Sequence, residues 1–294
     1  MGEELLKIVE RYLEKTLGES VTIYSSKALG GGCINNAAKL ETSRGELFLK
    51  WNANCHADLF LREAESLREL SKAVPDVLKV PEVVVAKEVD DSPGFLVQEY
   101  LAPAYSLDGA DEKLGRGLAI VHQFENARFG FYTDNYCGAT QQNNSWAENW
   151  GDFFVENRLR FLLQEIQKNR PLPVSEINIY EKLMSRIPDL VPSVSKAVLI
   201  HGDLWSGNYM HTDRGPALID PAAYYADREM EFAIVTMFGG FSSRFFAAYN
   251  EVNPLEPDWR SRNGLYQLYH VLNHFLLFGG AYRQQALAIA AQYI

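Results

Sequence analysis

The feature that most constrains the fold of this chain is a pair of short polar segments in its second half. They read His201-Gly202-Asp203-Leu204-Trp205-Ser206-Gly207-Asn208 and Leu218-Ile219-Asp220. An Asp is thus followed five residues later by an Asn, and after a short hydrophobic run by a second Asp. Carboxylate and amide oxygens suit a hard cation, and a carboxylate can also accept a proton from a hydroxyl.

Transfer of a phosphoryl group from Mg-ATP requires this set of groups. Asp203 is the candidate catalytic base, because its carboxylate would take the proton of the acceptor hydroxyl. Asn208 and Asp220 are the candidate ligands of Mg²⁺. The alternatives are a helix-capping or turn role for Asp203 and a turn role for Asp220 before Pro221. We expect His201 to hold the loop backbone rather than to take part in the chemistry.

A lysine and a glutamate upstream complete the set that a phosphate site needs. Lys50 ends the hydrophobic run Leu47-Phe48-Leu49-Lys50, which predicts a strand lysine that contacts the α- and β-phosphates. Glu63 lies in the next predicted helix and is expected to pair with Lys50. Glu65 is the rival partner, but helix positions two apart do not share a face. The alternative for Lys50 is a strand lysine without a catalytic role.

Two further segments are candidates for contact with the nucleotide. Gly30-Gly31-Gly32 permits a tight turn whose backbone N–H groups can approach phosphate, although taken alone it also fits a flexible turn. Residues 95–101 predict the last strand and a hinge, where the Glu99 carbonyl and the Leu101 N–H would contact adenine.

The cysteines Cys33, Cys55 and Cys137 show neither paired spacing nor metal-ligand spacing, which favours a reducing compartment. Cys33 follows the three glycines, near backbone donors that can lower the pKa of a thiol. We therefore hypothesise that Cys33 is sensitive to oxidation, for instance through an intermolecular disulfide. The alternative is a small residue that fits the turn.

The pattern of apolar residues predicts an α+β chain with two lobes. A helix at 5–17, strands at 21–29, 36–40, 46–51, 81–87 and 95–100, and a helix at 57–72 form a small strand-rich lobe. Long helices are predicted over 111–126, 145–168, 176–187, 228–249, 261–279 and 282–293, interrupted only by short strands around the catalytic motif. The boundary falls near 98–104, which gives an N-terminal nucleotide-binding lobe over 1–101 and a C-terminal catalytic lobe over 102–294.

Composition narrows the classes of partner. The net charge of −10 argues against a nucleic-acid surface, which needs a basic face. No apolar run approaches the roughly 18 residues that a membrane span needs, and the acidic start Met1-Gly2-Glu3-Glu4 is unlike a signal peptide. We expect a cytoplasmic protein of 294 residues with no nucleic-acid or membrane partner.

The order and spacing of these parts match the kinase fold, but the hallmarks of protein kinases are missing. No Arg stands between His201 and Asp203, no Phe-Gly follows Asp220, and there is no Ala-Pro-Glu. A phosphorylation-controlled activation loop therefore has no support. These departures favour a small-molecule kinase with a small antiparallel-sheet N-lobe and a larger helical C-lobe.

From about residue 20 to its end, the chain resembles the fructosamine kinase (ketosamine-3-kinase) family of the aminoglycoside-phosphotransferase-like group. The segments that carry the resemblance are Gly30-Gly31-Gly32-Cys33-Ile34-Asn35, Phe129-Gly130-Phe131, Asp134-Asn135, Gly138, Thr140-Gln141, Asn143, Trp146, Trp150, His201 to Asn208, Ile219-Asp220-Pro221-Ala222, Tyr224-Tyr225, Asp227-Arg228-Glu229, Phe238-Gly239-Gly240-Phe241 and Leu268 to Gly280. Within them, residues 30–35 look like the nucleotide loop of the family. One departure is Gln98, which replaces a more usual apolar residue before the hinge and leaves the nucleotide preference open.

The resemblance implies ATP-dependent phosphorylation of the 3-hydroxyl of ketosamines, the adducts formed when sugars glycate amines. The phosphorylated adduct is labile, so the amine is repaired. Trp205, a large ring inside the catalytic loop, is a candidate platform for the substrate, with packing as the alternative. The substrate would be a free or a protein-bound ketosamine, and a homodimer is possible. Other readings are a kinase of an aminoglycoside-like or choline-like compound, or a non-catalytic nucleotide-binding regulator.

Overall fold

The first third of the chain forms an antiparallel sheet between two helices. The computed structural model describes residues 2–30, 35–104 and 109–294. The elements of this part are α1 (Glu3–Leu17), β1 (Ile23–Leu29), β2 (Asn36–Thr42), β3 (Gly45–Asn52), α2 (Leu59–Ala73), β4 (Val83–Lys87) and β5 (Gly94–Glu99). The strands are ordered β1-β2-β3-β5-β4, and each neighbouring pair is antiparallel.

Helix α1 covers one face of this sheet. Leu5, Val9 and Leu13 recur every four residues and are buried, as the helical period requires of a stripe that faces a core. They pack with buried side chains of β2, β3, β4 and β5. The helix ends at Gly18, which adopts the left-handed conformation (φ 72°) and donates its N–H to the Glu14 carbonyl.

Helix α2 covers the opposite face. Its buried residues Phe60, Ala64 and Leu67 pack against Leu96 of β5. Successive side chains of a strand point to opposite faces, so residues of β5 next to Leu96 in sequence, such as Phe95, pack on the α1 side. The two helices thereby assign each strand residue to one face of the sheet, and the α2 face is the one that borders the rest of the chain.

The remainder of the chain is mostly helical. Its elements are α3 (Ala110–Val121), β6 (Glu125–Asn126), β7 (Asn135–Cys137), β8 (Thr140–Gln142), α4 (Trp150–Phe153), α5 (Phe161–Asn169), α6 (Val174–Leu190), β9 (Ala197–Ile200), β10 (Tyr209–Thr212), β11 (Gly215–Leu218), β12 (Tyr224–Ala226), α7 (Glu229–Met237), α8 (Ser243–Val252), α9 (Trp259–Phe278) and α10 (Tyr282–Ala291). A π-helical segment, Phe154–Arg160, joins α4 to α5. The core of this part also takes in Leu70 and Leu78 from the first third of the chain.

Three small sheets interrupt the helices. Strands β12, β9 and β6 form one sheet, and β10–β11 and β7–β8 form two hairpins. The motif that contains Asp203 connects β9 to β10, and Asp220 connects β11 to β12. Short strands therefore hold both ends of each catalytic segment. No helix in the described ranges has the length and apolar character needed to cross a bilayer.

The single helix predicted over 228–249 is wrong. The structure has two helices there, α7 and α8, separated at Gly239 and Gly240, whose φ angles are +70° and +92°. Residues with side chains rarely adopt such angles, so the glycine pair ends the helix despite the continuing apolar pattern. A Cβ on Gly240 would lie 2.6 Å from the Cβ of Ser206, so the break also lets this loop approach the catalytic segment.

Two other predictions need correction. The helix predicted over 111–126 ends at Val121, and residues 125–126 form strand β6 on the edge of β9. The strands are not confined to the catalytic motif, because the hairpin β7–β8 occupies residues 135–142. Strands of two or three residues are too short to show an alternating pattern.

The close packing of α3 on α8 gives a test of the fold. A Cβ on Gly115 would lie 2.3 Å from the backbone oxygen of Phe245, so Gly115→Ala should force the helices apart and lower the free energy of unfolding by about 1–3 kcal/mol. Helix propensity alone would raise it by about 1 kcal/mol. Urea denaturation distinguishes the two signs. Exposed Lys113→Ala in the same helix is the control and should change stability by less than about 0.5 kcal/mol.

Candidate functional site

The predicted site residues that the structure describes all line one cavity of about 500 Å³. From the first third of the chain these are Gly30, Asn35, Lys50, Glu63, Glu99 and Leu101, and from the remainder Asp203, Trp205, Asn208 and Asp220. A cavity of this size accommodates a nucleotide-sized ligand. The other four predicted residues, Gly31, Gly32, Cys33 and Ile34, lie outside the described residues, as does the proposed oxidation site at Cys33.

Lys50 connects three separate elements at the centre of the cavity. Its Nζ lies 2.9 and 3.0 Å from the two carboxylate oxygens of Glu63 on α2, and 3.0 Å from Oδ1 of Asp220. Burial alone would lower the pKa of Lys50, but the Asp220 and Glu63 carboxylates outweigh it and raise the pKa. Burial raises the pKa of Glu63 against the attraction of Lys50, and Asp220 adds to the rise. One lysine thus faces two carboxylates.

Glu63, and not Glu65, is the partner of Lys50. Glu65 instead accepts hydrogen bonds from Arg62 (2.7 Å) and from the hydroxyl of Thr133 (2.7 Å). Thr133 belongs to the segment before β7, so Glu65 joins α2 to the C-terminal part of the chain. The two glutamates, two positions apart, face different partners as the helical period requires.

Two more carboxylates make the same kind of contact, Asp58 at the N-cap of α2 and Glu69 within the helix. The hydroxyl of Tyr136 donates to Asp58 at 2.6 Å, and the hydroxyl of Tyr225 donates to Glu69 at 2.7 Å. Together with the Thr133–Glu65 bond these form what we call the α2 clasp: one carboxylate at the start of α2 and two within it that accept from three hydroxyls of the C-terminal part. Sequence reasoning missed the clasp, because no local pattern pairs residues so distant in sequence.

Asp203 and Asn208 are held together within the catalytic segment. The amide nitrogen of Asn208 donates to the backbone oxygen of Asp203 at 2.8 Å and to its carboxylate at 3.1 Å. Burial, with repulsion from the carboxylates of Asp220 and Glu231, raises the pKa of Asp203 to about 8, although the bond from Asn208 opposes this shift. Because both bonds use the amide nitrogen, the amide oxygen of Asn208 is left for another partner.

Two buried groups fix the backbone of this segment. Nε2 of His201 is 2.9 Å from the Ile219 carbonyl, and the Asp203 N–H donates to Nδ1 of His201 at 3.3 Å. Both contacts suit a neutral ring that donates through Nε2, and burial lowers the pKa of His201. His201 therefore ties the Asp203 segment to the strand end that precedes Asp220.

The second group is Glu231 of α7, which sequence reasoning missed. Its fully buried carboxylate accepts the N–H groups of His201 (2.5 Å) and Gly202 (3.1 Å). His122 lies 3.6 Å away through Nε2 and contacts the Tyr249 hydroxyl at 2.8 Å through Nδ1. The available signal was an acidic residue inside an apolar run, since a carboxylate is rarely buried without partners.

The backbone at Asp220 is unusual. Its φ of +54° is positive, which among the described residues is true of no other residue except glycines. This conformation costs free energy in a residue with a Cβ and is common at functional sites. The side chain remains 41% exposed and reaches the cavity beside Lys50.

Trp205 lies at the rim of the cavity and is 37% exposed. Its ring meets that of Phe238 edge to face, with centroids 6.2 Å apart, and Phe238 in turn lies 5.4 Å from the ring of His274. Behind it, a Cβ on Gly207 would clash with the Trp205 ring at 2.3 Å. The indole is thus packed against Gly207 and Phe238 and is partly exposed where it lines the cavity.

The two histidines of α9 do not form a metal pair with each other. His270 is buried, and burial lowers its pKa to about 3, while its carbonyl contacts Nδ1 of His274 at 2.7 Å. His270 instead lies near Cys137 and Asp203. One potential ligand atom of each of these three residues lies within 4.8 Å of the other two.

The hinge joins the cavity at the end of β5. Glu99 donates its N–H to the Glu82 carbonyl at 2.8 Å, and its carboxylate binds Arg214 at 2.6 Å. Leu101 is buried, and within the described ranges no residue accepts its N–H. Gln98, which precedes Glu99, lines the cavity and is 4% exposed.

Comparison with known proteins gives the family of the chain. The model of the fructosamine kinase family matches residues 5–294. A probable ketoamine kinase of Synechocystis is 35% identical over 97% of this chain and 95% of its own. The protein-ribulosamine 3-kinase of Oryza sativa subsp. indica, named as chloroplastic, is 35% identical over 95% and 81%. The ketosamine-3-kinase of Mus musculus is 34% identical over 96% and 98%.

Solved structures agree with the fold. A crystal structure from Haemophilus somnus, to which fructosamine-3-kinase is provisionally assigned, aligns with a TM-score of 0.85 at 26% identity over 97% of this chain and 96% of that one. The aminoglycoside phosphotransferase APH(4)-Ia, bound to AMP-PNP and hygromycin B, aligns with a TM-score of 0.60 at 17% identity over 96% and 98%. The predicted two-lobed, protein-kinase-like fold is confirmed, and the chain belongs to the fructosamine kinase family.

Proposed function

We propose that this protein is an ATP-dependent kinase that phosphorylates the 3-hydroxyl of ketosamines and thereby repairs glycated amines. The observation that carries the proposal is that the base candidate, the cation ligands and the lysine–glutamate pair line one cavity in a member of the fructosamine kinase family. The named activities of the mouse and rice relatives support the same substrate class.

Asp203 acts as the base of the transfer. Its carboxylate takes the proton of the substrate hydroxyl while the hydroxyl oxygen attacks the γ-phosphorus of ATP, and the bond to the bridging oxygen breaks to release ADP. The bond from Asn208 orients this carboxylate. Burial first, and then the carboxylates of Asp220 and Glu231, raise the pKa of Asp203. A cation bound nearby would oppose this rise, because it favours the ionised carboxylate.

Lys50 and the residues around it position the nucleotide. The Glu63 carboxylate holds Nζ of Lys50 where it can contact the α- and β-phosphates. Mg²⁺ fits the oxygens that remain, namely the amide oxygen of Asn208 and the exposed carboxylate of Asp220, because hard oxygen donors suit this ion. When bound, Mg²⁺ supplies neutralisation of the phosphate charge. The Glu99 carbonyl and the free N–H of Leu101 contact the adenine.

Trp205 forms a platform for the ketosamine. The partly exposed ring lines the cavity that also contains Asp203, and the ring of Phe238 packs against it edge to face. Aromatic faces bind the apolar face of a sugar and attract the positive charge of a protonated amine. A ketosamine carries both groups.

The first test is the release of ADP from Mg-ATP with ribulosamine, erythrulosamine and fructosamine derivatives, and with kanamycin and choline for comparison. We expect turnover on a ketosamine and a loss of about 10²–10⁴-fold in Asp203→Asn, because the amide cannot accept the proton. ATP binding by the variant, measured by calorimetry, should persist.

The outcomes separate the alternatives. Turnover on kanamycin or choline alone would retain a kinase and reject the ketosamine substrate. ATP binding without turnover on any acceptor would favour a nucleotide-binding regulator. Full activity of Asp203→Asn would remove Asp203 from the role of base.

The platform is tested separately. Trp205→Ala should raise the KM for ketosamines by about tenfold and leave the KM for ATP unchanged, because the ring contacts only the acceptor. Trp205→Phe keeps an aromatic face and should restore part of the loss. An unchanged KM for every ketosamine in Trp205→Ala would show that the ring only packs.

The third test concerns Glu231, which positions the catalytic segment. The two oxygens of Glu231 accept from His201 and from Gly202 separately, so Glu231→Gln keeps one acceptor and turns an amide N–H toward the other backbone N–H. We therefore expect kcat to fall roughly 10–100-fold and the free energy of unfolding to fall by about 1–3 kcal/mol. Steady-state kinetics and urea denaturation measure the two effects. Glu251→Gln, which alters an exposed pair with Arg116, is the control, and equal behaviour of both variants would contradict the role.

A further inference from the structure

Gln98 faces the nucleotide cavity because of the register of the sheet. Strands β3 and β5 pair Lys50 with Leu96 and Phe48 with Gln98. Paired residues of neighbouring strands point to the same face, and so do residues two apart on one strand. Gln98 therefore shares the face of Lys50 and lines the cavity beside the Glu99 hinge.

The side-chain amide of Gln98 is buried, but its hydrogen bonding is incomplete in the ligand-free protein. The side chain is 4% exposed, and its Oε1 is buried with no hydrogen-bond partner among the residues that the structure describes. Its partner on β3 is the apolar Phe48, and Leu29, Ala37, Leu101 and Ile219 are other apolar residues that line the same cavity. An unsatisfied buried acceptor destabilises the ligand-free protein, so a partner for it is expected among the ligands of the cavity.

We propose that Gln98 selects adenine by accepting a hydrogen bond from its 6-amino group. This inference rests on the proposed function, which places the base at the hinge. The 6-amino group has two hydrogens, and the adjacent Glu99 carbonyl and Gln98 Oε1 are two acceptors. A purine with a 6-keto oxygen lacks both donor hydrogens and presents an acceptor to the Glu99 carbonyl. It is therefore disfavoured at the hinge, although the Gln98 amide can turn its NH2 group toward that oxygen.

Removal of Gln98 Oε1 should change the stability of the protein and its affinity for ATP in opposite directions. Gln98→Met replaces the amide with an unbranched apolar chain of similar size. The variant should have a higher Tm without ligand, because the unsatisfied amide is gone. It should also lose affinity for ATP, because the 6-amino group loses an acceptor. If Gln98 had only a structural role, its replacement would not combine a higher Tm with a loss of affinity for ATP.

The test compares ATP with purine riboside triphosphate, which lacks the 6-amino group, and with ITP, which carries a 6-keto oxygen. The dissociation constants of wild type and Gln98→Met are measured by calorimetry without acceptor. Wild type should bind ATP tighter than both analogues, and the variant should reduce its preference over purine riboside triphosphate by about tenfold. Differential scanning calorimetry gives the Tm of each ligand-free protein.

Gln142→Met is the matched control. Gln142 is also buried, but its amide donates to Asn135 and accepts from Tyr269. Its replacement should lower the Tm and leave the ratio of nucleotide affinities unchanged.

The inference is overturned if Gln98→Met keeps the full preference for ATP, or if wild type binds ITP as tightly as ATP. Either result would leave the proposed kinase function standing, because ATP would still bind. Failure of wild type to bind any of the three nucleotides would overturn both. A lower Tm in Gln98→Met with unchanged discrimination would assign Gln98 a packing role alone.

Discussion

The contact on which the site depends is that of Lys50 with two carboxylates. A single ammonium group meets Glu63 of α2 and Asp220 of the segment after β11, so it fixes the sheet, the helix and the C-terminal part relative to one another. A buried lysine with only one carboxylate would be electrically balanced. The second carboxylate adds negative charge beside Lys50, which raises the pKa of Glu63 and favours binding of a further cation in the same cavity.

The residues of the site could be predicted where their signal is local. The spacing of Asp203, Asn208 and Asp220 follows from one loop and one hairpin, and helical geometry distinguishes Glu63 from Glu65. Long stretches of the sequence also resemble the fructosamine kinase family. The described residues among those predicted from the sequence line one cavity, because the strands that flank each motif hold the ends of short loops together.

Contacts between residues distant in sequence could not be predicted. Neither the α2 clasp nor the hydrogen bonds that Glu231 accepts from His201 and Gly202 can be recognised from a local sequence pattern. Both depend on how whole helices and strands pack against each other. The helix predicted over 228–249 failed for another reason: apolar periodicity continues through Gly239 and Gly240, while their positive φ angles break the backbone. The periodic pattern therefore indicated that the apolar residues of this segment face the core, but it did not show that the helix is interrupted at the two glycines.

The α2 clasp holds α2 against the cavity at both ends. Movement of the helix away from the cavity would break three hydrogen bonds to charged acceptors, from the hydroxyls of Thr133, Tyr136 and Tyr225, and such bonds are stronger than those between neutral groups. The clasp therefore opposes displacement of α2. As a result, Glu63 is held beside Lys50 by contacts of the protein itself, before any nucleotide enters the cavity.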